Sequence, residues 1–165
     1  MRRLSVTLLV ALLVLPAAAL AARADKGDGS FELKAGNGTF IMTGRGVVLA
    51  QMDKGILRVT DLNPLDGLQP AVSGAERVRP ATDDPNTLVY QGTNIHVRIT
   101  GGKYKLHFRG SGVDLTAVGV GTADLTGSLL TDPGTWSVDG AKWTAVPLVD
   151  RVVPFGTPVT PTTGP

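Results

Sequence analysis

The chain has no cysteine in 165 residues. That excludes disulfides, thiolate zinc sites and a lipid carried on an N-terminal cysteine. It has only two histidines, His96 and His107, so imidazole chemistry has few places to sit. From Asp25 onward no stretch shows the i, i+3, i+4 apolar spacing of an amphipathic helix, and no second run is apolar enough to span a bilayer. The formal net charge of +2 invites a nucleic-acid reading. Arg2, Arg3 and Arg23 lie in the first 24 residues, however, and without them 16 cations fall to 13 against 14 acids. The basicity belongs to the leader and argues against a nucleic-acid partner.

Residues 1–24 have the three parts of a secretory signal peptide. Arg2-Arg3 form a positive start, Leu4 to Leu15 an apolar run, and Pro16 breaks it ahead of small residues. Cleavage is expected after Ala21 or after Ala24. The run is shorter than the roughly 20 residues of a membrane-spanning helix. The sequence therefore predicts a secreted or cell-envelope protein with a β-domain over residues 25–153. Pro154 to Pro165, rich in proline and threonine, is expected to be an extended tail.

What fills the β-domain is strict alternation. Phe31-Glu32-Leu33-Lys34, Ile95-His96-Val97-Arg98-Ile99 and Tyr104-Lys105-Leu106-His107-Phe108-Arg109 place apolar residues at every second position between glycine-containing turns. Period two with such punctuation predicts antiparallel strands with one buried face. A shift of 66 positions lays Ser30–Asp61 over His96–Gly127. Gly36, Gly44, Gly46 and Gly55 then fall on Gly102, Gly110, Gly112 and Gly121. Phe31 and Leu33 fall on Val97 and Ile99, Phe40 and Met42 on Leu106 and Phe108, and Val47 and Leu49 on Val113 and Leu115. The expectation is an internal repeat of two four-strand units, each read as strand, tight turn, strand, Gly-x-Gly corner, strand, Gly turn, strand. The in/out parity should match between them, because a one-residue slip would turn every apolar side chain outward. Two units suit an antiparallel sandwich or small barrel, with a parallel β-solenoid as the alternative. Between them, Asn63–Asn86 is rich in Pro, Asp and Gly and reads as a long connection with a strand at Ala71–Val78. A C-terminal hairpin is centred on Asp139-Gly140.

Two constellations could carry function. With Gly101-Gly102 as a hairpin turn, His96, Arg98, Lys105, His107 and Arg109 would share one face, with no acid between Pro85 and Val113. Like charges across a strand pair cost a few tenths of a kcal/mol, so an anionic partner such as a cell-wall polymer is the functional expectation. A solvated face that discourages edge pairing is the plainer one. The same histidines sharing a metal ion with Asp114 is a weaker alternative, since three ligands are needed. In the second constellation Asp139-Gly140 would set Trp136 opposite Trp143. Such a pair either closes the core or offers an aromatic platform to a glycan.

Other motifs carry less. Asp61 to Gly67 imitates a calcium loop with its third acid and its glycine one place late, so a turn is expected. Asn37-Gly38-Thr39 reads as a hairpin turn rather than a glycosylation acceptor. Asp83-Asp84 reads as a solvated turn, and no dinucleotide or nucleophile-elbow context surrounds the glycine motifs.

The stretches Gly102–Gly127 and Trp136–Trp143 together resemble small secreted β-rich proteins of high-GC actinobacteria. Shared features are a Gly-Gly-basic-aromatic hairpin, a Gly-x-Gly-hydrophobic corner and an Asp-Gly hairpin ending in Trp. The resemblance implies secretion and a β-fold, and it carries no activity. The expected function is thus a non-catalytic binding or structural domain at the bacterial envelope, with no cofactor. Carbohydrate recognition through Trp136 and Trp143 is the alternative, and a hydrolase a more distant one because no catalytic groups converge.

Overall fold

The computed structural model describes residues 27–157. The signal-peptide reading of residues 1–24 and the tail beyond residue 157 lie outside them. The described chain is all-β: β1 (Gly29–Asp61), β2 (Ala71–Pro80), β3 (Thr87–Ile99), β4 (Lys103–Gly127), β5 (Thr135–Val138), β6 (Thr144–Ala145) and β7 (Arg151–Phe155). Every pairing is antiparallel, in the order β2-β3-β1-β4-β7, with β5 on β1 and β6 on β5. The sheet does not close into a barrel, and antiparallel pairing throughout leaves the solenoid alternative unneeded.

The longest strands are too long to lie in one plane. Residues 29–36 of β1 pair with residues 113–119 of β4, which pair on their other side with residues 46–52 of β1. Residues 38–45 pair with residues 103–110 on one side and 120–127 on the other, and residues 54–61 pair with residues 104–111. The sheet thus folds over itself into two leaves. The first runs β5, 29–36, 113–119, 46–52, 95–99, 71–73. The second runs β7, 120–127, 38–45, 103–110, 54–61, 87–93, 75–80. One apolar core lies between them, drawing Phe31, Leu33, Val48, Met52, Val97 and Leu115 from the first leaf and Phe40, Leu57, Leu106, Phe108 and Leu125 from the second.

The chain turns from leaf to leaf along rows of irregular backbone. Across one row Ala35, Asn94, Gly74, Gly112 and Gly134 take positive φ values of 50°, 57°, 80°, 62° and 86°. A left-handed residue re-aims a strand, and a row of them creases the whole sheet. Just inside this crease, Gly127, Gly38, Gly110, Gly55 and Gly92 stand side by side on five adjacent strand segments. A Cβ on Gly110 would overlap the Lys54 carbonyl oxygen and lie 3.0 Å from Gly55 Cα. Crossing strands approach here more closely than side chains permit.

Several expectations need correction. Gly36–Gly38 and Gly55 are not turns between strands, because β1 runs on through them; the Asn37–Thr39 hairpin is therefore absent. Asn37 is instead a staple at the crease. Its amide donates to the carbonyls of Ala35 (3.1 Å) and Asp132 (2.7 Å), and its oxygen accepts from the Gly112 N–H (3.1 Å). Parity holds for Phe31, Leu33, Val97 and Ile99 and for Phe40, Met42, Leu106 and Phe108, all buried. It fails in the third strand, where Val113 and Leu115 are buried while Leu49 is 40% exposed. The crease shifts the in/out phase between Phe108 and Val113 on β4 but only after Met52 on β1, so the two stretches arrive out of step. Pro154 and Phe155 do not belong to a tail: Pro154 sits opposite Thr122 in β7, and Phe155 is buried 6.1 Å from Phe31. A proline is tolerated there because β7 ends the sheet and needs no donor on its outer side. The strand within the long connection is present as β2.

Candidate functional site

β3 and β4 are not partners, and that decides the fate of the basic face. Residues 46–61 of β1 lie between them, with Val48 opposite Ile99 and Leu57 opposite both Tyr90 and Phe108. Alternation alone shows which residues point inward but not which strand lies next door. Inserting β1 buries its own apolar set and satisfies both of its edges. Gly101-Gly102 therefore carries the chain from the first leaf to the second rather than closing a hairpin. His96 and Arg98 face outward on the first leaf, and Lys105, His107 and Arg109 on the second. The five cations expected together form two groups, and the two imidazoles cannot share a metal ion. Among the described residues no cluster of three or more His, Asp or Glu could hold one.

The tryptophans separate as well. Asp139 and Gly140 form the expected turn, with φ values of 49° and 70° and the Ala141 N–H donating to the Val138 carbonyl at 2.8 Å. Beyond it the chain slips by one residue, so Trp136 faces Thr144. The Ser137 hydroxyl holds the slip by donating to the Ala141 carbonyl at 2.7 Å. Trp136 is buried, stacked on Phe31 at 6.5 Å with Arg151 against its other side. Trp143 is 37% exposed, with the Lys34 ammonium 4.5 Å from its ring centre. Acrylamide should accordingly quench part of the fluorescence and leave a blue-shifted, shielded fraction. Trp143→Phe should remove the quenchable part; an unprotected residual emission would contradict the burial of Trp136.

A groove of about 1020 Å³ opens on the outer face of the first leaf. It crosses five strands, and with adjacent strands about 4.8 Å apart its span is roughly 19 Å. The register arranges its side chains in two rows. One is Glu32, Thr116, Leu49, Arg98 and Ala71; the other is Asp114, Gln51, His96 and Ser73, with Lys34 at its end where the β1–β4 register shifts. Asp114 is fixed at the centre, accepting from the Ala35 N–H at 2.7 Å and from the Gln51 amide at 2.9 Å. His96 Nε2 lies 3.1 Å from Asn94 Oδ1. Trp143, packed on Lys34, stands beside one end. Glu32, Lys34, Leu49, Gln51 and Thr116 were not marked by the sequence as site residues. Their one signal was outward parity on strands whose neighbours the sequence leaves open.

The second leaf holds a smaller recess of about 280 Å³, lined by Ile56, Arg58, Arg79, Asp83, His107 and Arg109 among others. Arg58 Nη2 donates to both Asp83 carboxylate oxygens at 2.8 and 2.7 Å. That bond, chiefly, holds the Asp83 carboxyl below its ordinary pKa. Burial, then the charges of Arg58, Lys105 and Arg109, push His107 below the usual imidazole value. On the far side of Ile41, a hydrogen bond with Asp150, burial and that neighbour's charge raise the pKa of Asp124. The calcium-like loop is a turn: Asp61 accepts from the Asn63 N–H at 2.8 Å and Asp66 from the Leu68 N–H at 2.9 Å.

Comparison of the chain with protein-family models, with curated proteins and with solved structures returns no match.

Proposed function

We propose that the protein is a non-catalytic binding domain of the bacterial envelope whose first-leaf groove takes a stretch of glycan. The groove itself carries this reading. Donors (Arg98, His96, Lys34) and acceptors (Glu32, Asp114) alternate with amphiphilic Gln51, Ser73 and Thr116 over an open floor containing Leu49. Sugar hydroxyls both donate and accept, and sugar C–H faces pack on apolar side chains and indoles, so a mixed lining of this kind suits them. The near balance of charge favours a polyhydroxylated chain over a polyanion in this groove. Secretion, read from residues 1–24, places such a domain where wall glycans are.

We also read the halves offset by 66 residues as related units that each supply one wall of the groove. The pairs Phe31↔Val138 and Glu32↔Ser137 correspond under that offset to Val97↔Val72 and Arg98↔Ala71. Equivalent positions then carry Glu32 on one wall and Arg98 on the other, which would give a bound chain a preferred direction.

The test is affinity electrophoresis and calorimetry against purified wall glycans, read with Trp143 fluorescence. Binding should weaken by about tenfold in Gln51→Ala/Arg98→Ala, as expected for two lost hydrogen bonds. Binding unchanged in that variant, or none to any glycan, would overturn the proposal.

A further inference from the structure

We propose that the recess of Arg58, Arg79, His107 and Arg109 on the second leaf is an oxyanion-binding site, for a phosphate or carboxylate group. This is independent of the glycan reading, being on the other leaf and sharing no residue with the groove.

Four elements converge here. β1 supplies Ile56 and Arg58, β2 supplies Arg79, the loop after it supplies Asp83, and β4 supplies His107 and Arg109. Register places His107, Arg58, Val89 and Arg79 in one row, with Arg109 beside Ile56 in the next. Three guanidinium groups and an imidazole therefore surround one carboxylate. Asp83 is committed to Arg58, and no carboxylate lies within salt-bridge distance of Arg79 or Arg109 among the described residues. Setting Arg58 opposite His107 costs stability when both are charged; Asp83 offsets part of that cost, and a bound anion would offset more of it. His107 also lines the recess, and its buried Nε2 has no hydrogen-bond partner, a donor that an anion could satisfy once the ring is protonated. At about 280 Å³ the recess has room for about nine waters, enough for a tetrahedral oxyanion and part of the group that carries it. Guanidinium forks suit such ligands because their planar donors match paired oxygens.

His107 makes the site readable. The ionisable groups around its ring are Arg58 from β1, Lys105 and Arg109 from β4, Arg79 from β2, and Asp83 from the loop, with Asp124 beyond Ile41. A bound anion would offset those cations and favour the imidazolium, so occupancy should raise the titration midpoint of His107 and tighten as pH falls. The chain has two histidines, and His96 on the other leaf serves as an internal control.

The experiment is an NMR titration of both imidazoles in purified protein with inorganic phosphate, chloride being adjusted to hold ionic strength constant. The expected result is an upward shift of His107 with His96 unmoved. Phosphate affinity should fall by about tenfold in Arg79→Gln/Arg109→Gln and stay unchanged in Arg98→Gln. Both mutated residues are exposed, so the double variant should keep its melting temperature, which is checked first. No shift of His107, or equal shifts of both histidines, would overturn the proposal. Poly(glycerol phosphate) and polygalacturonate, titrated in the same way, then distinguish a phosphate source from a carboxylate one. Response to inorganic phosphate but to neither polymer would support a site for free phosphate.

Discussion

Gly46→Ala should cost roughly 2–6 kcal/mol, the sum of backbone strain and steric overlap, and lower the melting temperature by on the order of 10 °C. Gly46 has a φ of +135°, and a methyl group there would overlap the Val118 carbonyl oxygen and lie 2.9 Å from Gly119 Cα. All of these obstacles are backbone, so none can swing aside. Gly119 faces Gly46 across the same pair of strands and meets the Arg45 carbonyl in the same way. Gly119→Ala should therefore be about as damaging, and the double variant less damaging than the sum, because the first methyl already forces the strands apart. Gly67→Ala is the control: its φ is +73° but nothing lies within 4 Å, so only the backbone term of about 1–2 kcal/mol remains. Urea unfolding of the four variants beside the unmutated protein measures this. A Gly46→Ala cost no larger than that of Gly67→Ala would mean the strands do not cross as closely as described.

Phe108→Ala should cost about 3–5 kcal/mol, since it leaves a cavity that surrounding strands cannot collapse to fill. Phe108 is fully buried and faces Phe40 on one side and Leu57 on the other. Arg109→Ala, one residue further along β4 and exposed, should change stability by less than about 0.5 kcal/mol. The contrast between neighbours tests the inward and outward assignment of the strand. Similar costs for both substitutions would refute it.

Alternation in Ile95–Ile99 and Tyr104–Arg109 was sufficient to identify buried and exposed positions: Ile95, Val97, Ile99, Tyr104, Leu106 and Phe108 are all in the core. Period two is a local property and is written residue by residue. Strand adjacency is not local. Nothing in His96–Arg109 announces that residues 46–61 will come between its two arms, so the predicted basic face divided between the leaves. The groove was hidden for the same reason, since Glu32, Gln51, Arg98 and Asp114 become neighbours only once register is known. Asp139-Gly140 shows the limit at finer scale. Its turn was legible because two successive positive φ values favour that dipeptide, but the slip after Ala141 depends on a single Ser137 hydrogen bond and sends Trp143 to the opposite face. Glycine spacing held a further clue. Gly-x-Gly at 44–46 and 110–112 marks two of the corners, whereas Gly38 and Gly55 looked like turns although the strand continues through them.

The way β1 and β4 wind around each other also sets an order of events in time. Their nearest paired residues, Asp61 and Tyr104, are 43 positions apart, and Gly29 and Gly119 are 90 apart. Loop closure over such distances is entropically expensive, and chains dominated by it fold in milliseconds to seconds rather than microseconds. β2 and β3, by contrast, meet across a short loop, Pro80 facing Leu88. That hairpin is the element able to form early, with residues 46–61 docking on its free edge. The N-terminal residues 29–45 must wait for β4, and Phe31 also for Trp136 and Phe155, so their apolar side chains stay uncovered until residue 155 has been made.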